Sequence, residues 1–157
     1  MIKTRSQIYA EAAIKVVSEW ASNKENAENE NATNGNAVNE NATNENAESE
    51  NGEEGDPKQN LRSTAISFPA QIQTCGLLQS LAFVEKKNET YAKGFKTVLN
   101  ERLNSNPLGN VASIAKVDSL FDLNAVDYMI LSRMAIEAAT WIKRYAAIVL
   151  PDPNADQ

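Results

Sequence analysis

A five-residue unit repeats through the first third of this chain and limits what that stretch can become. It runs Glu25-Asn-Ala-Glu-Asn, Glu30-Asn-Ala-Thr-Asn, Gly35-Asn-Ala-Val-Asn, Glu40-Asn-Ala-Thr-Asn and Glu45-Asn-Ala-Glu-Ser, then decays to Glu50-Asn-Gly-Glu-Glu. Short repeats can build solenoids when each unit buries an apolar side on the next. A period of five does not allow that here. On a helix it sets successive alanines about 140° apart, so no stripe forms. On a strand an odd period changes face at every repeat. The unit has no aromatic residue and almost no apolar bulk to offset the entropy of ordering the chain. Residues 23–57 are therefore expected to be a disordered loop.

The same stretch carries the acidity. Between Glu25 and Asp56 lie ten acidic residues and no Lys or Arg. Outside it, the chain's 15 basic residues face 11 acidic ones, a net of +4 instead of the −6 of the whole chain. An acidic protein thus becomes a mildly basic body with an acidic insert, and a basic body admits nucleic acid as a partner. Setting the insert aside leaves roughly 120 residues, enough for one hydrophobic core, so one domain over residues 1–157 is expected.

The remaining patterns are helical. Thr4 with Gln7 three residues later reads as a capping box. Ile8, Ala12, Val16 and Trp20 then form one line at spacing four, with Tyr9, Ala13, Val17 and Ala21 beside it. Leu61, Ala65, Ile66 and Phe68 suggest a short helix, and Pro69 fits as the first residue of the next. There Ile72, Gly76, Leu77, Ser80, Leu81 and Val84 make a stripe, widened by Leu78, Ala82 and Phe83 into a helix buried on more than one side. Gly76 inside it would permit a kink or a close approach. A helix from about Thr90 to Leu103 turns Tyr91, Phe95, Val98, Leu99 and Leu103 inward, and Asn104-Ser-Asn-Pro107 stops it. Val111, Ile114 and Val117 suggest another short helix. The last helix spans roughly Asn124 to Leu150, with Ile130, Met134, Ala138, Trp141, Ile142, Tyr145 and Val149 facing the core. No alternating strand pattern occurs. The expected class is all-α, a compact helical bundle.

Little in the sequence supports catalysis. There is no histidine, and Cys75 is the single cysteine; it reads as a small apolar filler. No phosphate-binding glycine loop and no metal-ligand cluster occurs, so no cofactor, metal or small-molecule substrate is expected. The ordered carboxylates Glu85, Glu101, Asp118, Asp122, Asp127 and Glu137 show only helix-surface spacing. No run approaches the ~18 apolar residues of a membrane span, and Met-Ile-Lys-Thr-Arg-Ser lacks the apolar core of a secretory signal. A cytoplasmic protein without a membrane partner is expected.

Two segments carry more than generic helix: Phe68-Pro-Ala-Gln-Ile-Gln-Thr-Cys-Gly-Leu-Leu-Gln-Ser-Leu-Ala-Phe83 and Glu137-Ala-Ala-Thr-Trp-Ile-Lys-Arg-Tyr-Ala146. They resemble the two signature segments of the small α-helical subunit of type III-B CRISPR effector complexes, the fifth protein of the Cmr set. Lys3-Thr-Arg5-Ser-Gln7 resembles that family's N-terminus. Cys75, where a polar residue is usual, and the acidic insert depart from the pattern. The resemblance implies a non-catalytic subunit that stacks along a filament with other Cmr subunits and copies of itself. It also implies a basic face contacting the backbone of guide and target RNA.

Residues for such a face are Lys3, Arg5 and Lys15 on the first helix, Arg62, Lys86 and Lys93 on the middle helices, and Lys143 and Arg144 on the last. Lys87 and Lys96 add charge nearby. Many amines and few aromatics suit contact with phosphate, which positions a strand without reading its sequence. That fits a system in which a guide strand supplies specificity. Two other classes remain open. One is a helical adaptor or immunity-type module without nucleic acid. The other is a small DNA-binding regulator, although no clear helix-turn-helix spacing appears.

Overall fold

The computed structural model describes residues 3–22, 56–105 and 120–152. Among them, the regular structure is five α-helices with no strand: α1 (Arg5–Ser22), α2 (Pro57–Cys75), α3 (Leu77–Lys87), α4 (Glu89–Ser105) and α5 (Ala125–Val149). The repeat up to residue 55 and the short helix expected around Val111, Ile114 and Val117 lie outside the described residues. Asp56 and Pro57, the last two residues of the expected loop, belong instead to the start of α2. Asp56 caps that helix by accepting a hydrogen bond from the Lys58 N–H at 3.0 Å, and Pro57 is its first residue.

The first helix forms as its sequence dictates. The Thr4 N–H donates to Gln7 Oε1 at 2.8 Å and the Gln7 N–H donates to Thr4 Oγ1 at 3.3 Å, closing the capping box. Tyr9, Ala13, Val16, Val17 and Trp20 are buried. At the other end, Lys58 Nζ donates to the Ala21 carbonyl at 2.6 Å, so a cation from α2 satisfies a carbonyl in the last turn of α1.

Where a break between Phe68 and Pro69 is expected, α2 instead continues through a buried Pro69. A proline inside a helix deprives the carbonyl four residues earlier of its partner and costs about 3 kcal/mol. Here burial of Phe68, Pro69 and Ile72 on one face outweighs that cost. The break falls at Gly76, which sits between helices rather than within one. Its φ of +84° and ψ of 162° lie in a region essentially reserved for glycine. The Gly76 N–H completes α2 by donating to the Ile72 carbonyl at 2.9 Å, and its own carbonyl receives the Ser80 N–H at 3.2 Å. No side chain at the junction caps α3. The hydroxyl of Tyr128, on α5, accepts the Leu78 N–H at 3.1 Å instead.

Only one face of α3 is buried, through Leu77, Ser80, Leu81 and Val84. Ala82 and Phe83 are exposed, contrary to the expectation of burial on two sides. Cys75 is exposed too, since it ends α2 just before the turn. Asn88 links the neighbouring elements. Its side-chain oxygen accepts the Tyr91 N–H at 3.0 Å, and its amide donates to Thr64 Oγ1 on α2 at 3.3 Å.

The fifth helix packs on α1, α2 and α4 through Leu131, Met134, Ala135, Ala138, Ala139, Ile142 and Ala146. Ile130 and Val149, expected in the core, are exposed, and Trp141 and Tyr145 are half-buried. The alanines favour this rotation, because small side chains let a neighbouring helix approach closely. Asn124 caps this helix, accepting the Asp127 N–H at 2.9 Å.

At the centre of the core, the Phe68 ring meets Tyr91 and Phe95 edge-on, with centroids at 5.1 and 5.0 Å, and Trp20 lies 5.6 Å from Tyr91. Gly94 lets α4 approach α1. A Cβ at that position would collide with the Trp20 ring and come within 2.6 Å of Val16.

The two buried tyrosines differ. Tyr9 donates its hydroxyl to the Met134 carbonyl at 3.2 Å, whereas the Tyr91 hydroxyl has no hydrogen-bond partner among the described residues. Burial pushes both phenols far above their usual range. Their protons stay bound in the folded chain where an unfolded chain would lose them, so stability is fully present below about pH 10 and declines as pH rises beyond it. Tyr91→Phe keeps the ring and removes the unsatisfied oxygen. The expected result is a thermal midpoint equal to or above that of the parent at neutral pH, with a shallower loss of stability above pH 10. A midpoint several degrees lower would show that the hydroxyl is bonded in solution.

Candidate nucleic-acid interface

The eight basic residues separate into groups on different faces. Lys3, Lys15 and Lys93 line a groove of about 530 Å³ between α1 and α4, floored by Ile8, Ala12, Val16, Trp20 and Gly94. Three acids, Glu11, Glu19 and Glu101, line the same groove, so it is charge-balanced rather than a basic channel. Lys3 pairs with Glu11, and Lys93 with Glu89 one turn earlier on α4 at 2.7 Å. The hydrogen bond from Lys93, followed by its positive charge, holds the Glu89 carboxyl below its usual range. Both pairs are solvent-exposed, so water and salt screen them and neither holds its ammonium firmly.

Arg62 is placed differently. Its guanidinium meets Asp152 at 2.9 Å, its side chain is only 16% exposed, and its buried Nε has no partner among the described residues. The pair ties α2 to the residues that follow α5. Sequence spacing gave no hint of it, because the two lie 90 positions apart.

The outer face of α5 groups Arg5, Lys143 and Arg144. Arg5 reaches across from α1 to Glu137 at 3.0 Å. Glu137, Trp141 and Arg144 follow at helical spacing on one side of α5, and the Arg144 guanidinium stands 5.0 Å above the Trp141 ring. Trp141 is itself stacked on Tyr145, with centroids 6.1 Å apart. Arg144 is therefore an exposed cation on an aromatic base. Lys143 is exposed, and among the described residues no carboxylate pairs with it, with Lys15 or with Lys86. Lys86 closes α3 beside Lys87.

Two exposed features escaped the sequence reading. One is Phe83, 51% exposed with the Lys87 ammonium 5.5 Å from its ring centre. Its signal was the pair of lysines three and four residues later, on the same helix face. The other is apolar surface at both ends of α5: Phe121, Val126, Met129 and Ile130 near its start, Ile148 and Val149 at its end. Hydropathy alone could not separate these from the core of a helix that is apolar on most sides. Among the described residues no group of three potential metal ligands occurs, and no helix is long and apolar enough to cross a membrane.

Comparison with known proteins gives one consistent family. The model of a family described as CRISPR-associated protein (Cas_Cmr5) matches residues 35–149. The CRISPR system Cmr subunit Cmr5 of Thermus thermophilus is 27% identical over 99 residues, covering 63% of this chain and 82% of that one. The X-ray crystal structure of a CRISPR-associated Cmr5 family protein from Thermus thermophilus superposes with a TM-score of 0.59 at 22% identity. That superposition covers 95% of this chain and 100% of the other, and it bears on the fold.

Proposed function

The chain belongs to the Cmr5 family, the small subunits of type III-B CRISPR complexes, and from that premise we propose that it is a non-catalytic building block that stacks along the effector filament and touches the guide–target RNA backbone through basic residues. The observation that carries this reading is the distribution of exposed apolar surface on α5. A 25-residue helix is roughly 37 Å long, and its large exposed apolar side chains gather at its two ends. Contiguous exposed apolar surface marks a docking face. Different patches at opposite ends favour a head-to-tail contact, which builds an open filament rather than a closed dimer. Lys143 and Arg144 lie between those ends, and a filament would repeat them along one side.

Backbone contact is the mode these residues suit. Lysines and an arginine that have no acidic partner among the described residues can neutralise phosphates, while specificity comes from base pairing elsewhere in the complex. Arg5 beside Glu137, and Lys15 and Lys86 on other faces, are further candidate phosphate contacts, with Lys3 and Lys93 released from their weak ion pairs. Arg62, mostly buried and held by Asp152, is the least available of the eight candidates.

Assembly is tested with Met129→Glu combined with Ile130→Glu. Both positions are exposed, so the subunit should fold with an unchanged thermal midpoint. Charge placed in a desolvated interface costs about 2 kcal/mol or more, over tenfold in affinity. The double variant is expected to be lost from a complex reconstituted with the other Cmr subunits, as read by native mass. Wild-type stoichiometry for the variant would remove this face from the assembly.

A further inference from the structure

The outward turn of α3 presents an unusual grouping. Leu81 and Val84 bury the helix on one side, and Phe83 between them is left facing solvent. Lys86 and Lys87 follow three and four positions later, the neighbours of Phe83 along the helix surface. Among the described residues neither lysine is paired with a carboxylate, and the Lys87 ammonium rests 5.5 Å from the centre of the Phe83 ring. The acid of the same turn, Glu85, is drawn away toward α4, where Lys96 holds it at 2.7 Å. One turn therefore exposes a flat apolar ring and two cations without a competing carboxylate.

Deepening the RNA-contact reading, on which it rests, we infer that Phe83, Lys86 and Lys87 form a stacking site for one unpaired nucleotide. The ring takes the face of the base and the ammonium groups take its phosphate. Proteins that hold single strands combine these two elements, and the contact tolerates any base because every base has a π-face. A paired base has both faces covered by its stacked neighbours, so the ligand is a nucleotide beyond the duplex or turned out of it. Lys87 is already over the ring as a cation. Its flexible stem lets it move aside when the base enters and then meet the phosphate. A partner protein would find an apolar anchor here, but the uncompensated positive charge around the ring favours an anionic ligand.

The test uses the full chain, a fluorescein-labelled oligouridylate and the matched ribose-phosphate strand without bases, read by fluorescence polarisation at low salt. Phe83→Ala should weaken the base-bearing strand about tenfold and leave the base-free strand unchanged. Phe83→Tyr should bind as the parent does. Lys86→Gln with Lys87→Gln should weaken both strands. The ring is exposed, so the thermal midpoint should hold in every variant. Equal binding of the base-bearing strand by the parent and Phe83→Ala, or an equal loss on both strands, overturns the stacking site alone. A parent that binds neither strand overturns the RNA reading and the site with it. If Phe83→Ala keeps RNA affinity but loses self-association or entry into the complex, the ring is a protein contact and the inference is wrong.

Discussion

Phe68→Ala is expected to lower the stability of the folded chain by about 3–5 kcal/mol. The side chain is fully buried, and its ring joins α2 to α4 through edge-on contacts with Tyr91 and Phe95. Truncation removes the transfer free energy of the ring, leaves a cavity between helices and abolishes two aromatic pairs worth about 0.5–1.5 kcal/mol each beyond their area. A domain of this kind has about 5–15 kcal/mol in total, so the loss is a large share of it. Pro69 makes the site more sensitive, because burial of Phe68 and its neighbours holds the helix together across a residue that cannot donate a backbone hydrogen bond. Urea unfolding should show the effect as a lower midpoint, with near-ultraviolet dichroism reporting the loosened aromatic cluster. Phe68→Leu, which keeps most of the volume, should cost much less. A loss under about 1 kcal/mol for the alanine variant would mean that the ring is not the keystone its contacts describe.

The second large effect is on RNA. Reversing Lys143 and Arg144 together to Glu should reduce the affinity of a reconstituted complex for target RNA at least tenfold. Each amine that neutralises a phosphate contributes a salt slope of about −0.7 on a single strand. Two reversals per subunit should therefore flatten the salt dependence by more than one unit even before repetition along a filament. Several copies on one rigid assembly multiply the effect, since later contacts are intramolecular. The isolated subunit should show only weak binding and a correspondingly small change. Both residues are exposed, and the stack of Arg144 on Trp141 is worth about 0.5–1 kcal/mol at an exposed site, so folding should survive. Unchanged affinity in a complex that still contains the variant would exclude both residues as RNA contacts. Loss of the subunit from the complex would assign that face to assembly.

What could be read in advance follows from how local each determinant is. The start of α1 was legible because a capping box and two apolar lines lie within twenty residues. The span of α5 was legible from its long apolar pattern and the prolines after it, whereas the Asn124 cap emerged only with the structure. The break between α2 and α3 was misplaced because proline signals a helix start only when the alternative is cheap, and the packing of Phe68 and Ile72 that overrides it is tertiary. The apolar line through Ile130 and Val149 points inward by spacing, whereas the helix is rotated so that Leu131, Ala135, Ala139 and Ala146 face the core. Only the positions of its three neighbours decide between those faces. The candidate cations were legible as residue types but not as groups. Arg62 pairs with Asp152 across most of the chain, Lys3, Lys15 and Lys93 meet because α1 lies against α4, and Phe83 appeared only once α3 was seen to bury a single side.

The contact between Lys58 and the Ala21 carbonyl has a practical meaning for anyone building with this subunit. It holds the end of α1 against the start of α2 at the point where the chain leaves one helix and later enters the other. The end of α1 and the start of α2 are thus held together by a contact within the folded body. Closing a loop grows costlier only with the logarithm of its length, about 0.6 kcal/mol for each doubling. The junction is therefore a natural port for cargo. An affinity tag, a fluorescent reporter or a tether to a second enzyme spliced between these helix ends is expected to leave the helical body intact.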